Sequence, residues 1–427
     1  MGEGVKIRNV HDVAAWRLCL GCGACFGVCP EGMVRMADVE DDGIRPFVEA
    51  GGCRHCGTCL QACPGVRTVA PGRGTAAGNA GADLLRWGTF LEVWEGFAGD
   101  PTVRFEGSSG GLCTALSLFC REQGLAGGLL HVGADPEKPW QNRTVRSTTR
   151  REVLQGAGSR YAPASPCEGF RQIESAGDAS VFVGKPCDVA GLRMAQQLRP
   201  ELAAKTKIAI GFFYAGTPST RGTLELLRKY GINPADVAGF RYRGQGWPGM
   251  ATARFTDGSR PPFRVSYSES WGFVQKYRPF RCYLCPDLTA ELADISVGDP
   301  WYREVDEEEP GRSLILIRTE VGREIFHRAR KQGYVTAEPV APEIIYRSQK
   351  NLLGKRQAIW GRLLAMRVLG IPRPALEGFH LFENWRGLPA REKAKSILGT
   401  ARRIIQRNYF KPVEYECSNV MNSRGQP

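Results

Sequence analysis

The chain has 427 residues, enough for two or three domains, and its 42% hydrophobic and 24% charged content is that of a globular protein. No apolar run reaches the length of a membrane span, and the start, MGEGVKIRNVHDVAAW, lacks the apolar core of a secretory signal. Fifteen cysteines in so long a chain point to metal sites rather than a disulfide scaffold, so a reducing cytoplasm is expected, and the net charge of +13 raises the question of where the excess lies.

The first 75 residues are neutral, with eight Lys/Arg against eight Asp/Glu. Residues 19–30 read CLGCGACFGVCP and residues 53–64 read CRHCGTCLQACP. Both fit C-x2-C-x2-C-x3-C-P, the spacing of a small α+β two-cluster 4Fe-4S ferredoxin domain. Three thiolates on a tight loop grip one cube, and the Cys before Pro reaches across to the other. One cluster therefore takes Cys19, Cys22, Cys25 and Cys63, and the other Cys53, Cys56, Cys59 and Cys29. Gly23 and Gly57 leave room for the backbone to wrap the sulfides. A pair of zinc sites is the poorer reading, because both four-Cys runs are complete and each closes on Cys-Pro. The Gly/Ala-rich stretch PGRGTAAGNAGA (71–82) ends the module, so residues 1–75 are expected as a domain and 76–90 as a linker.

Residues 91–340 alternate short apolar runs with helical stretches, which predicts an α/β domain. LLHVGA (129–134), SVFVG (180–184), KIAIGFFYAG (207–216) and SLILIRT (313–319) read as strands. Thr217 reads as an N-cap and Pro218 as the first position of a helix ending at Gly231. A further helix is expected over 321–332. RYRGQGWPGMATARF reads as an antiparallel hairpin, so a mixed sheet is expected.

Ligands gather at the carboxyl ends of strands in such sheets. Gly107, Ser108, Ser109, Gly110 and Gly111 precede an apolar helix, where backbone N–H groups can meet phosphate; taken alone, such a loop is more often only a turn. Gly158-Ser159-Arg160-Tyr161 offers a cation and a stackable ring. Gly184-Lys185-Pro186-Cys187-Asp188 opens from a strand end. Cys187 together with Cys282 and Cys285 of RCYLCPD supplies three thiolates for a third 4Fe-4S cluster. Spacing does not fix its fourth ligand: Cys167 is the first choice, Cys113 the second, and Asp188 an alternative. Free cysteines are often small buried apolar residues instead, and that is the reading for Cys120; Cys417 has no assigned role.

Residues 341–427 form a basic extension, with sixteen Lys/Arg against six Asp/Glu. Such a tail suits an anionic membrane surface or an acidic protein, yet apolar stretches such as LLAMRVLGI interrupt it, which predicts packed helices and argues against nucleic acid.

The motifs Ser108-Ser109-Gly110-Gly111, GSRY at 158–161, GKPCDVAGLR at 184–193 and RCYLCPD…ADISVGD at 281–299 together resemble the beta subunits of coenzyme F-420 hydrogenase and dehydrogenase, a family that also contains 7-hydroxymethyl chlorophyll a reductase. The resemblance covers roughly residues 90–335. It implies a bound FAD beside an iron-sulfur cluster, with the loop 107–111 on the FAD phosphates. It also implies that Ser159, Arg160, Tyr161 and Lys185 line the flavin or its substrate, Arg160 and Lys185 with catalytic roles. Relatives often carry Lys at the position of Arg160. The complete ferredoxin runs depart from the chlorophyll-type members and argue against a chlorophyll substrate.

The expected function is an FAD and iron-sulfur oxidoreductase exchanging hydride with a deazaflavin or organic substrate. A flavin is the natural converter between one-electron clusters and two-electron hydride chemistry. The alternative is a non-catalytic electron-transfer subunit of a larger complex, working with a donor or acceptor protein. A binding protein with structural clusters is a third class. Five His in no Ser- or Cys-paired arrangement, and no phosphate loop of the Gly-x4-Gly-Lys type, leave little for a hydrolase.

Overall fold

The structure is a computed structural model describing residues 7–49, 51–72, 81–304 and 310–415. Cys417 and residues 76–80 of the expected linker lie outside the described residues, and Gly81–Trp87, inside that linker, is helical.

Short β-branched and leucine-rich runs build an eight-stranded mixed sheet. Its order is Val335–Pro339, Glu92–Ala98, Ser313–Ile317, Ile295–Gly298, Thr206–Phe212, Ser180–Gly184, Gly128–Ala134 and Asn142–Ser147. Ile295–Gly298, Thr206–Phe212, Ser180–Gly184 and Gly128–Ala134 run parallel to one another, and the remaining pairs are antiparallel. Ser313–Ile317 is buried along its whole length, which is why it reads as an unbroken apolar run rather than an alternating one. One face packs on Leu112–Glu122 and Glu320–Lys331 through Leu116, Phe119, Ile325 and Phe326. The other packs on Phe170–Glu174 and Pro186–Leu198 through Phe170, Val189 and Leu192. Cys22, Ala24, Val28 and Ala62 of the cysteine-rich module join this second core, so the module is docked on the sheet domain.

That module holds an antiparallel hairpin, Val34–Val39 with Gly43–Val48, and two short helices, Ala24–Val28 and Thr58–Gln61. Both helices start from a left-handed glycine, Gly23 at φ 84° and Gly57 at φ 79°, a conformation that a side chain would strain. The basic C-terminal segment forms Glu343–Gln357, Ile359–Val368, Leu381–Arg386 and Ala390–Gln406. Its Ile359, Leu363, Met366, Phe379 and Ile404 share one core with Val10, Val13, Leu18 and Met36. The strand Ala375–Glu377 also pairs in parallel with Arg67–Val69.

Three sequence expectations need correcting. The hairpin from Val237–Arg241 and Met250–Phe255 forms, but with Phe263–Ser266 it makes a separate three-stranded sheet. The main sheet is mixed because of other strands. Strand Thr206–Phe212 stops before residues 213–216, which turn away as Tyr214 N–H donates to Leu288 O. The following helix is Thr220–Lys229 with Ser219 at its N-cap, because Ser219 N–H is drawn to Tyr277 O and Arg221 N–H to Glu40 O of the docked module.

Candidate cofactor sites

The two crossed cysteine sets each surround their own cavity. Cys19, Cys22, Cys25 and Cys63 line one, and Cys29, Cys53, Cys56 and Cys59 line the other. All four cysteines of the first set are buried, whereas in the second Cys56 is exposed and Cys53 and Cys59 are half-buried. Among the described residues no three His, Cys, Asp or Glu converge tightly enough for a single metal ion. A four-iron cube is larger than an ion and needs its thiolates further apart. Burial pushes the thiols of Cys19, Cys25 and Cys63 upward, so iron must displace their protons on binding.

Three further cysteines share the electrostatic field of one guanidinium. Cys285, Cys282 and Cys187 all act on the buried Arg281, as does Cys63. Arg281 Nη1 donates to Leu284 O at 2.9 Å and its Nη2 to Pro64 O at 3.3 Å, which ties the Cys282 loop to the ferredoxin Cys-Pro. The Cys167 thiol has two acceptors within reach, Asp188 O at 3.3 Å and the Cys22 sulfur, and a hydrogen bond to the latter favours the Cys22 thiolate. Cys113 instead lines the large cavity described next, its thiol pushed up to about 12 by burial. The Asp188 carboxylate is taken by Lys185.

A cavity of ≈ 200 Å³ opens at the carboxyl ends of the parallel strands. Gly107, Ser108, Ser109 and Gly111 line it, as do Ser159, Arg160, Tyr161 and Lys185. Gly110 does not line it; at φ 69° it lies against Arg312 instead. The helix Leu112–Glu122 begins here from Gly111 at φ 72°, so its free N–H groups face the cavity end of the loop. A Cβ on Gly107 would stand 2.5 Å from Gly111 Cα, and one on Gly111 would stand 2.4 Å from Val103 O, so the turn requires both glycines. Ser159 N–H donates to Ser108 Oγ, joining the two predicted loops. Tyr161 packs against Trp271 at 4.8 Å.

Both cations assigned by sequence are engaged by the protein itself. Lys185 Nζ donates to Asp188 Oδ2 at 2.7 Å, Oδ1 at 2.9 Å and Ala164 O at 3.2 Å. Burial alone would neutralise it, but Asp188 outweighs burial and keeps it protonated. Arg160 donates to Pro139 O at 2.6 Å, Gln141 O at 3.0 Å, Phe240 O at 3.2 Å and Asn142 Oδ1. These side chains shape the cavity wall rather than reach freely into it.

Sequence reading missed three cavity residues. Arg243 grips Asp299 through Nη1 at 2.9 Å and Nη2 at 2.6 Å, clamping the small sheet to the main one. Asp299 closes the ADISVGD motif, which was the available signal. His131, on a predicted strand, donates to or accepts from Ser147 Oγ at 2.7 Å, and burial lowers its pKa to about 4.

The coenzyme F420 hydrogenase/dehydrogenase beta subunit N-terminal and C-terminal family descriptions match residues 93–170 and 178–343, and a 4Fe-4S dicluster domain matches residues 18–65. The chain belongs to the coenzyme F420 hydrogenase/dehydrogenase beta-subunit family. It is an iron-sulfur protein of an oxidoreductase family. A coenzyme F420-dependent sulfite reductase of Methanocaldococcus jannaschii is 26% identical over 78% of this chain, which spans about half (49%) of that protein's length. The coenzyme F420 hydrogenase subunit beta of Methanosarcina barkeri is 26% identical over 56% of this chain and 79% of its own. A chain of the F420-reducing NiFe hydrogenase complex from Methanosarcina barkeri shares the fold, with a TM-score of 0.55 at 21% identity, over 69% of this chain and 98% of that one. Among the described residues no helix is long and apolar enough to cross a membrane.

Proposed function

We propose that this protein is an iron-sulfur flavoprotein that passes electrons between its clusters and a hydride-exchanging partner of the deazaflavin or small organic class. The observation that carries the reading is one cavity that collects residues of all four family motifs beside a cysteine-rich module docked on the same sheet. The residues suit FAD: a helix N-terminus behind a glycine turn for the phosphates, and Phe212, Phe213, Tyr161 and Tyr214 for a flat ring. A bound FAD supplies exchange between one-electron carriers and two-electron hydride chemistry. Residues 91–340 are the proposed flavin domain and residues 1–75 the two-cluster domain. Gly107, Ser108, Ser109 and Gly111 hold the phosphate end with Gly110 as the turn behind them, Ser159 orders the loop through Ser108, and the Lys185–Asp188 pair fixes the wall below. Cys187, Cys282 and Cys285 are the proposed thiolates of a third cluster, placed between module and cavity.

A second reading, that of an electron-transfer subunit, is favoured by the internal engagement of Arg160 and Lys185 and by relatives named as subunits. Anaerobic purification with iron and flavin assays tests the primary reading. About twelve irons, three cubes of four, and about one FAD per chain are expected. Absence of flavin after reconstitution overturns the flavoprotein reading. Oxidation of a reduced deazaflavin by the isolated chain separates enzyme from subunit.

A further inference from the structure

Two arginines in the junction between the ferredoxin and the Cys282 loop are buried without a carboxylate partner. Arg45 is 4% exposed and Arg281 is 1% exposed. Both have an Nε with no hydrogen-bond partner. They line one small cavity, ≈ 20 Å³, together with Cys19 and Cys282. Their remaining contacts are to neutral groups: Arg45 Nη1 donates to Ile44 O at 2.8 Å and Arg45 also hydrogen-bonds Tyr415, while Arg281 donates to Leu284 O and Pro64 O. Neither forms an ion pair with a carboxylate within 4 Å among the described residues; Asp42 lies further off in the field of Arg45, and its carboxylate accepts from Tyr415 at 3.0 Å.

A buried, half-satisfied guanidinium costs several kcal/mol unless an opposite charge compensates it. On Arg281 only cysteine thiolates do so, and on Arg45 Cys19 does so ahead of Tyr415 and Asp42. Cys19 is the first of the groups that act attractively on Arg45, and Cys285, Cys282, Cys187 and Cys63 act on Arg281. Cys19 and Cys63 belong to the inner ferredoxin set. The outer set, Cys29, Cys53, Cys56 and Cys59, reaches solvent, and the arginines beside it, Arg8 and Arg54, are exposed and pair with Asp12 and Glu31, each at 3.5 Å. The two halves of the repeat are therefore alike in sequence and opposite in electrostatic setting.

We propose that Arg45 and Arg281 are the counter-charges of the inner ferredoxin cluster and raise its reduction potential above that of the outer one. Reduction adds one electron and one negative charge to a cluster. A nearby buried cation stabilises the reduced form in a medium of low polarity, where charge, hydrogen bonding and exposure set the potential. Solvent and the Arg54–Glu31 pair screen the outer site, so it lacks this bias. The two arginines thus make the inner position, which faces the sheet domain, the one where an electron rests. This depends on the dicluster assignment and not on the flavin; because Arg281 also faces Cys285, Cys282 and Cys187, the potentials are read in a chain that cannot hold the third cluster, and iron and flavin counts judge the proposed function separately.

The test is an anaerobic potentiometric titration of the full chain followed by electron paramagnetic resonance. A soluble gadolinium chelate marks the outer cluster by enhancing its relaxation. In a Cys282→Ser background, which cannot hold the proposed third cluster, the chelate-insensitive cluster should be the first to be reduced. Arg281→Gln and Arg45→Gln should each lower its reduction equilibrium by at least tenfold, a shift of about 59 mV for one electron. Arg281→Lys and Arg45→Lys should restore most of it, and Arg54→Gln should leave both clusters in place. Loss of the inner cluster from a Gln variant but not from its Lys counterpart also supports a counter-charge role. Unchanged inner potentials in both Gln variants overturn the proposal. So does an equal fall in the Lys variants, which would reduce the arginines to packing and hydrogen-bond anchors.

Discussion

His131 shows how one buried side chain couples the cavity to pH. Burial lowers its pKa from 6.5 to about 4. The unfolded chain therefore takes up a proton below pH 6.5, while the folded chain refuses it until about pH 4. This stability is complete above pH 6.5 and is lost as the pH falls through that window. At 1.36 kcal/mol per unit, the loss between pH 6.5 and 5 is about 2 kcal/mol. Urea unfolding of the anaerobic protein at pH 7 and pH 5 should show that component in the parent and not in His131→Gln; equal pH slopes in the two would contradict it. Lys185 makes a different case. Its family-derived role suggests that removing it should loosen the flavin alone, but its three bonds to Asp188 and Ala164 make it a structural cation first. Lys185→Met should cost about 3–5 kcal/mol by stranding Asp188, and adding Asp188→Asn should recover part of the loss while keeping the carbonyl that caps Lys185 N–H. A double variant no more stable than the single one would show that the pair is not the cause. The cavity residues named by motif were legible because glycine turns and strand ends leave local signatures. Arg243 and Asp299 form their clamp across 56 positions, and no local pattern reports such a pairing.

Elements were legible where they are buried on both faces. SVFVG and SLILI read as strands because the sheet interior demands continuous apolar runs. Edge strands such as Asn142–Ser147 are half-exposed along most of their length, so their composition imitates a loop. The N-cap at Ser219 was displaced from Thr217 by a contact with the ferredoxin hairpin, which lies about 180 residues away in sequence. The same docking gives a test at this scale. Helix Ala24–Val28 approaches the sheet domain through Gly27, where an added Cβ would stand 2.5 Å from Cys167 O and 2.6 Å from Phe170 Cδ2. The backbone oxygen cannot swing aside as a flexible side chain can. Gly27→Ala should therefore cost about 1–3 kcal/mol by overpacking and lift the ferredoxin from its seat. Limited proteolysis should cut the variant faster between the two domains, with the secondary structure content unchanged by circular dichroism. Identical digestion rates would show that the interface absorbs a methyl group.

At the scale of the molecule, the basic segment turns out to be structural. Its charge of +10 over residues 342–427 suggested a surface for an anionic partner, while its apolar stretches predicted packed helices. The first helix of the segment packs Ile345 and Leu353 on the sheet domain, and the stretches from Ile359 onward share the ferredoxin core, which a single sequence does not reveal because the two are separated by the whole sheet domain. Ile404 is fully buried there, and the chain beyond the last helix continues the contact. Val413 N–H donates to Ala15 O at 2.9 Å, Arg17 Nη1 donates to Lys411 O at 2.9 Å, and Tyr415 Oη donates to Asp42 at 3.0 Å. The segment closes over the module that holds the inner cysteine set, so removing residues 388–427 should loosen that module rather than the sheet. Burying Ile404 alone is worth roughly 2 kcal/mol, and about 1.4 kcal/mol is a tenfold change in a local opening equilibrium. The truncated protein should release iron to a chelator at least about tenfold faster under anaerobic conditions, while its sheet domain melts close to the parent temperature. If iron release keeps the parent rate, the C-terminal helices do not guard the ferredoxin, and their positive charge must be explained by a partner after all.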